Sequence, residues 1–354
     1  MSLEADIKAE ASALGFVLSG VALPQTPKHF PSYLTWLTEG CQAGMGYMAR
    51  PYAVNTRRDP SQLLPGCCSI LCLAMPYPPP APAPPRGLNN PCGTIAAYAV
   101  LPDYHETLLV MLEKLISRIE CLAGHPIKAY ACVDTSPILE KDYAQQAGLG
   151  WIGRNSLLIS PRYGSWLNLA EILTDLKLAP DQPFPEDPCL GCTHCVRACP
   201  TQALRPDRSV DARKCLSYLT VENRGSTPKA YQPLTGSRVF GCDLCQLACP
   251  HNQNFLFPNF NYVSLPRVNP YPELLAEFSL TEEAFKDKFQ TTPIVRARYQ
   301  GYRRNLAIAL GNSGIQSAVP LLQQALQKEA DPGVLDACRL ALAQLASYSE
   351  SEES

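Results

Sequence analysis

Residues 189–200 read CLGCTHCVRACP, four cysteines in twelve positions closed by a proline. A cubane iron–sulfur cluster takes one thiolate per iron. The spacing C-x2-C-x2-C bends a tight loop around three corners, and the chain does not turn back to reach the fourth. Cys199, which follows in front of Pro200, leads away from that loop and serves a second cluster, as is known for runs of this type. One motif therefore demands another. Residues 242–250, CDLCQLACP, supply it with Cys242, Cys245 and Cys249 ahead of Pro250. Two four-iron clusters take eight thiolates, and the two motifs provide seven. Cys215, in ARKCLSYLT between them, is the candidate eighth. The expected cages are Cys189, Cys192, Cys195 and Cys249, and Cys199, Cys215, Cys242 and Cys245. A seven-thiolate arrangement with one three-iron cluster stays open. Tetrahedral zinc prefers separated C-x2-C pairs and suits a close triplet poorly. The remaining cysteines among the sixteen, such as Cys67, Cys68, Cys72 and Cys338, read as small buried hydrophobes.

The rest of the chain limits what surrounds this region. With 354 residues, 46% of them hydrophobic, two or three domains with sizeable cores are expected. A net charge of −2 gives no global basic field, so any nucleic-acid contact has to come from local patches. The acidic start MSLEADIKAEASALGF does not have the form of a signal peptide, and the most apolar run, near CCSILCLAMPY, is too short to span a bilayer. A cytoplasmic protein is expected, with its cysteines reduced and available to metal.

Helical spacing is read at ADIKAEASALGF, at SYLTWLTEGCQAGMGYM, and at 104–122, where Leu108, Met111, Leu112, Leu115 and Ile119 recur on one face. Strands are read at 68–75, 94–100, 127–133, in NSLLIS and in WLNLAEILT. A helix is expected to begin with Ser136 as N-cap and Pro137 at its first position. PYPPPAPAPPRG reads as a stiff polyproline loop. Strands alternating with helices predict an α/β sandwich over residues 1–178. The proline-rich stretch 179–188 leads into a cluster region at 179–260. Residues 261–348 read as helices broken at GNSG and DPG, a degenerate HEAT-like pattern, and 349–354 as a disordered tail.

Several segments carry candidate chemistry. There is no phosphate-binding P-loop and no dinucleotide fingerprint. AGLGWIGRNSLLIS (147–160) is rich in glycine, which suits either close approach to a flat ligand or an ordinary turn. Asp134 follows a strand and precedes a helix, a place for catalysis or for a cap. Asp103, Tyr104 and His105 cluster in PDYHE, and a lone histidine there is more often structural. Two acid-free basic stretches stand out. Residues 293–305 hold Arg296, Arg298, Arg303 and Arg304 beside Tyr299 and Tyr302, and residues 223–238 hold Arg224, Lys229 and Arg238. Both suit RNA phosphates with base stacking, or a solvated face.

The ordered set TRRDPSQLLPG, YAVLPDYH, VDTSPILEKDYAQQAGLGWIGRNSLLI, GSWLNLAEILT, CLGCTHCVRACPTQAL, CLSYLTVE and FGCDLCQLACPHN resembles the bacterial epoxyqueuosine reductases, from about residue 5 to 310. That family is similar in fold and cofactor to reductive dehalogenases. The resemblance implies base-off cobalamin in the N-terminal region and two [4Fe–4S] clusters feeding it electrons from a separate donor. It implies a tRNA anticodon stem-loop as substrate, deoxygenation of epoxyqueuosine to queuosine at the wobble nucleotide, and a monomeric, membrane-free enzyme. It carries the proton-donor role to Asp134, whose pKa burial against the corrin is expected to raise. It implies corrin contacts from Arg57, Ala97, Asp134, Asn155, Ser156, Ser160 and Glu222. A corrinoid iron–sulfur reductase of small organic molecules is the competing reading. The sequence departs from the family at His251, where tryptophan is common, and in the long PPPAPAPP loop.

Overall fold

The structure, a computed structural model, describes residues 2–80, 82, 91–185, 187–253 and 268–352. The chain opens with α1 (Leu3–Ala13), whose first turn is capped by the Ser2 hydroxyl accepting from the Ala5 amide, and β1 (Leu18–Ala22) follows. α2 (Phe30–Thr38) and α3 (Pro51–Arg58) lead to β2 (Ser69–Pro76), which is buried along its whole length, as its unbroken apolar sequence requires. Next come a short β3 (Thr94–Ile95) and α4 (Tyr104–Ala123), begun by an Asp103 cap and ended by left-handed Gly124. β4 (Ala129–Cys132), α5 (Glu140–Gln146), the β5 (Trp151–Ile152) and β6 (Leu158–Ile159) hairpin, and β7 (Leu167–Thr174) complete this part.

The main sheet has the order β1-β2-β7-β4, and every pair in it is antiparallel. α1 and α4 cover one face through Ile7, Ala11, Leu108, Leu112 and Leu115. α5 covers the other through Tyr143, Ala144 and Ala147. The expected α/β layering is therefore present, but without parallel strands. Alternation of helix and strand fixes direction only when each crossover returns to the same end of the sheet. Here residues 23–68 and 133–166 re-enter the sheet at the end they left, which makes β1/β2 and β4/β7 antiparallel, while 77–128, which carries α4, crosses over and sets β4 in the direction of β2 on the far side of β7.

Local expectations fail where tertiary contacts take over. Of 94–100 only Thr94–Ile95 is strand, pairing in parallel with a strand of the cluster region, and Ala97–Val100 is a 3-10 turn. Leu158–Ile159 joins Trp151–Ile152 instead of the main sheet. The helix expected from Ser136 starts only at Glu140. The glycines of 147–160 serve the chain's own packing: a Cβ on Gly150 would lie 2.1 Å from the Ile159 carbonyl oxygen. Cys121 is exposed and Cys67 and Cys68 only half-buried, so not every spare cysteine is core.

The cluster region holds α6 (His194–Ala198), α7 (Leu216–Val221), α8 (Gln232–Thr235), β8 (Arg238–Phe240) and α9 (Leu244–Leu247). α10 (Leu274–Phe278), α11 (Glu282–Phe289), α12 (Arg298–Ser313), α13 (Val319–Lys328) and α14 (Pro332–Glu352) follow. The break at GNSG is the left-handed Gly314 that ends α12. α14 continues to Glu352, so most of the tail expected to be disordered is helical, and residues 353–354 lie outside the described residues. Half of the polyproline loop, residues 81 and 83–87, also lies outside them. No helix among the described residues is long and apolar enough to cross a membrane.

Candidate active site and cysteine cages

Cys189, Cys192, Cys195 and Cys249 line one small cavity together with His194 and His251, which brings the last cysteine of the second motif to the first three. The swap follows from α6 packing against α9, the helices that carry the two motifs. The second set also converges. Burial raises the Cys215, Cys242 and Cys245 thiols, and the neighbouring thiols of the same set raise them further, Cys199 acting on Cys215 and Cys215 on both others. N–H groups point at the sulfurs of both sets. Trp151 Nε1 donates to Cys189 Sγ at 3.3 Å, and the Ala203 amide to Cys199 Sγ at 3.3 Å.

A cavity of about 920 Å³ opens where the sheet region, the cluster region and the start of α12 meet. Its wall includes Arg57 of α3, Asp103 to His105 at the start of α4, Asp134, and Glu222 directly after α7. α7 begins next to Cys215, so one short helix separates a cage from the cavity. A second cavity of about 410 Å³ holds Asn155, Ser156 and Lys141, and the two share Met48.

In the larger cavity His105 bridges two acids. Its Nδ1 lies 2.6 Å from Asp103 Oδ1 and its Nε2 3.2 Å from Asp134 Oδ2. Tyr104 stacks on the same imidazole at 4.1 Å. Burial disfavours the charged ring, but the hydrogen bonds to Asp103 and Asp134 outweigh it and lift His105 to about 9. Burial also acts to raise Asp134, yet the His105 hydrogen bond and the charges of His105, Lys141 and Arg296 hold it below its ordinary value. The direction is the opposite of the one that burial against the corrin implies, because the hydrogen bond favours a carboxylate on Asp134 and the proton on His105. Asp134 has φ +36°, a left-handed conformation for a residue with a side chain, so the loop that presents it is strained. His105 was set aside in the sequence as structural. The signal was its neighbour Asp103, which caps α4 and turns the ring toward the end of β4.

Of the other expected contacts, Arg57 and Glu222 line the larger cavity and Asn155 and Ser156 the smaller. Ala97 does not: its amide donates to Asp243 and it lines a different cavity. Ser160 is buried inside its own turn, its hydroxyl accepting from the Arg162 and Tyr163 amides. Glu222 is ion-paired to Arg296 at 2.6 Å. Arg224, Arg296 and Arg298 sit at the cavity's rim, and Lys229 is exposed. Arg304 is 2% exposed and spends its donors on the Leu219, Asn223 and Gly225 carbonyls. Arg303 is paired with Glu329 and lies over the Phe278 ring. Arg238 donates to the Thr235 carbonyl at the far cavity. Arg304 is therefore committed to contacts inside the protein, Arg303 is held by Glu329 and Phe278, and Arg238 is half-buried at another cavity, a division that the basic pattern of the sequence does not reveal.

Comparison with known proteins follows the same division. Residues 57–135 match the family model described as epoxyqueuosine reductase QueG, and residues 188–252 match a 4Fe–4S double cluster binding domain. Among curated relatives, the epoxyqueuosine reductase of Pseudomonas aeruginosa is 36% identical over 335 residues, covering 94% of this chain and 91% of the relative. That of Salmonella typhimurium is 37% identical, covering 90% and 82%. The solved epoxyqueuosine reductase of Streptococcus thermophilus superposes with a TM-score of 0.88 at 28% identity, covering 98% and 91%. An epoxyqueuosine reductase solved with an epoxyqueuosine-modified tRNA-Tyr stem loop gives 0.89 at 28%, covering 99% and 92%.

Proposed function

The chain belongs to the epoxyqueuosine reductase family, and from that premise we propose that it reduces epoxyqueuosine to queuosine at the wobble position of tRNA anticodons, the last step of queuosine formation. The reaction breaks two C–O bonds, forms one C=C bond and releases water, consuming two electrons and two protons. The observation that carries this reading is the Asp103–His105–Asp134 chain on the wall of an arginine-rimmed cavity, one helix from a cysteine cage.

Residues 1–178 are assigned to cofactor binding and catalysis, 179–260 to the two clusters and 261–348 to a HEAT-like support. Cobalamin in its base-off form suits the site. The two adjoining cavities offer a large concave volume, and the buried Asn155 Nδ2 has no protein partner. Arg57 and Glu222 in the larger cavity and Asn155 and Ser156 in the smaller would hold it. When bound, the two [4Fe–4S] clusters and cobalamin supply the electrons that break the epoxide C–O bonds. The chain's own residues supply the acid. A proton held on His105 Nε2 passes through Asp134 to the departing oxygen, and Asp103 keeps the imidazole oriented. Arg224, Arg296 and Arg298 meet the phosphates of the stem-loop, and exposed Tyr47, over which Arg296 lies, offers a stacking face. Such a substrate places the enzyme in the cytoplasm.

Mass spectrometry of wobble nucleosides from cells lacking the protein tests the reading. Epoxyqueuosine should accumulate and disappear on complementation; an unchanged queuosine level would overturn it.

A further inference from the structure

The reaction takes two protons, and the Asp134–His105 pair stores one. The second proton needs a donor of its own within reach of Asp134. We propose that half-buried Glu140 and fully buried Glu171 hold this second proton as a carboxylic-acid reserve behind Asp134. The proposal rests on the reaction assigned above.

Glu171 lies in β7, in the middle of the main sheet, with Cys72 of β2 and Cys132 of β4 as its lateral partners. It is 0% exposed, and neither carboxyl oxygen has a hydrogen-bond partner among the protein groups. The surrounding face is apolar, formed by Cys72, Ala74, Cys132, Ile138 and Tyr143. A carboxyl group in such a place adds nothing to stability that a leucine would not improve on, so a role outside packing is indicated. Unpaired and dry, it stays protonated, and burial does hold it well above the ordinary glutamate range, with Glu140 and Asp134 adding to the effect.

Glu140 links this acid to the cavity. It is the first residue of α5, the helix that packs across β2 and β7, and Asp134 lies two residues past Cys132 at the end of β4. Burial, then the charge of Asp134, raise Glu140 to about 7. The groups coupled to it by charge are Asp134 on its loop, Lys141 on its own helix, Arg57 on α3, Tyr104 and His105 on α4, and Glu171 and Cys132 on the sheet. Lys141 and Arg57 stabilise the carboxylate that forms when Glu140 gives up its proton. The balance is then complete. His105 and Asp134 deliver the first proton to the oxygen, Glu140 delivers the second through Asp134, and Glu171 reprotonates Glu140. Two protons and two electrons convert the epoxide to the alkene and water, and both stores refill from solvent when the product leaves.

The test uses the anaerobic holoenzyme in two measurements. Infrared difference spectra should contain the carbonyl stretch of a protonated carboxylic acid that persists above pH 8 and is lost in Glu171→Gln. A second such band should titrate near pH 7 and be lost in Glu140→Gln. Single turnover on an epoxyqueuosine stem-loop should fall as pH rises through about 7. Glu140→Gln should slow it about 10²-fold and remove that limb. Glu171→Gln should give a smaller loss that Glu171→Asp restores in part. Absent bands in an active enzyme, or wild-type pH dependence in Glu140→Gln, would overturn the reserve alone. Bands present in an enzyme that leaves the stem-loop unreduced would overturn the assigned reaction, and the destination of this proton with it.

Discussion

The two cysteine cages and the acid wall of the cavity are built in opposite ways. A cage takes three of its four thiolates from one tight loop or two short motifs, so most of its geometry is local and imposed by spacing. The acid wall draws Asp103 and His105 from the start of α4 and Asp134 from beyond β4, with Glu140 of α5 and Glu171 of mid-sheet behind it, so its members come from three separate stretches of the chain. Charge placement in the cages is enforced by the metal. In the acid wall it is set by burial and by the order in which neighbouring groups give up their protons.

The largest effect should come from breaking the one contact of a cage that neither motif supplies. Cys215→Ser removes the thiolate that stands outside both motifs. One cluster should be lost, with iron content falling from about eight to about four per chain and turnover abolished, while the cage of Cys189 keeps its spectroscopic signal. Retention of eight irons would exclude Cys215 from the cage. Asp134→Asn comes next. It should keep both cofactors and stem-loop binding and slow single turnover by about 10²–10⁴, the range for removing a positioned general acid.

His105→Gln sharpens the comparison, because it acts through a pKa. His105 carries its proton up to about pH 9, so beyond the limb near 7 that belongs to Glu140 the wild-type rate should fall a second time as pH rises through about 9. Without the imidazolium, Asp134 loses the hydrogen bond that holds its pKa down, and burial is left to raise it. The acid is then Asp134 alone, and the limb near 9 should move to lower pH. A limb that stays near 9 in the variant would show that His105 does not store the proton.

The same contrast explains what was legible in the sequence. The clusters were, because the x2 and x3 spacings are dictated by a rigid inorganic object. β2 and α4 were, since an unbroken apolar run and a repeating apolar face each admit one burial pattern. Asp134 was found through the resemblance, but its proton state was misjudged, because His105 sits 29 residues away along the chain. Glu171 left a signal that went unread, an acid on an inward position of the apolar strand WLNLAEILT. The basic run at 293–305 was misread in part. In α12 the side chains of Arg303 and Arg304 turn inward, and a linear pattern of charge does not say which arginines find carbonyls inside the protein.

The rim arginines test that sorting. Arg298→Gln should weaken stem-loop binding several-fold and lower the salt slope of the affinity by about one phosphate contact. Arg304→Gln should instead destabilise the fold by about 1–3 kcal/mol, since it takes a donor from the buried Leu219 carbonyl and from the half-buried Asn223 carbonyl. Equal salt slopes for the wild type and Arg298→Gln would remove this arginine from the RNA surface.

The smallest effect is expected inside the cage of Cys189. Trp151 is 1% exposed, packs edge-on against His251 at 4.9 Å and directs its indole N–H at Cys189 Sγ. An N–H donor on a cluster thiolate stabilises the reduced, more negative state and so raises the potential. Trp151→Phe keeps an aromatic ring against Phe184 and His251 and removes only the donor. A hydrogen bond of this kind is worth about 0.5–1.5 kcal/mol, which for one electron corresponds to a fall of a few tens of millivolts. Anaerobic redox titration followed by electron paramagnetic resonance should find that shift in the Cys189 cluster while the cluster of Cys215 stays unmoved. A shift of equal size in both would mean that the substitution changed the packing around the whole region and not one sulfur, and the potential of this cage would then have to be set by burial, as the acids across the molecule are.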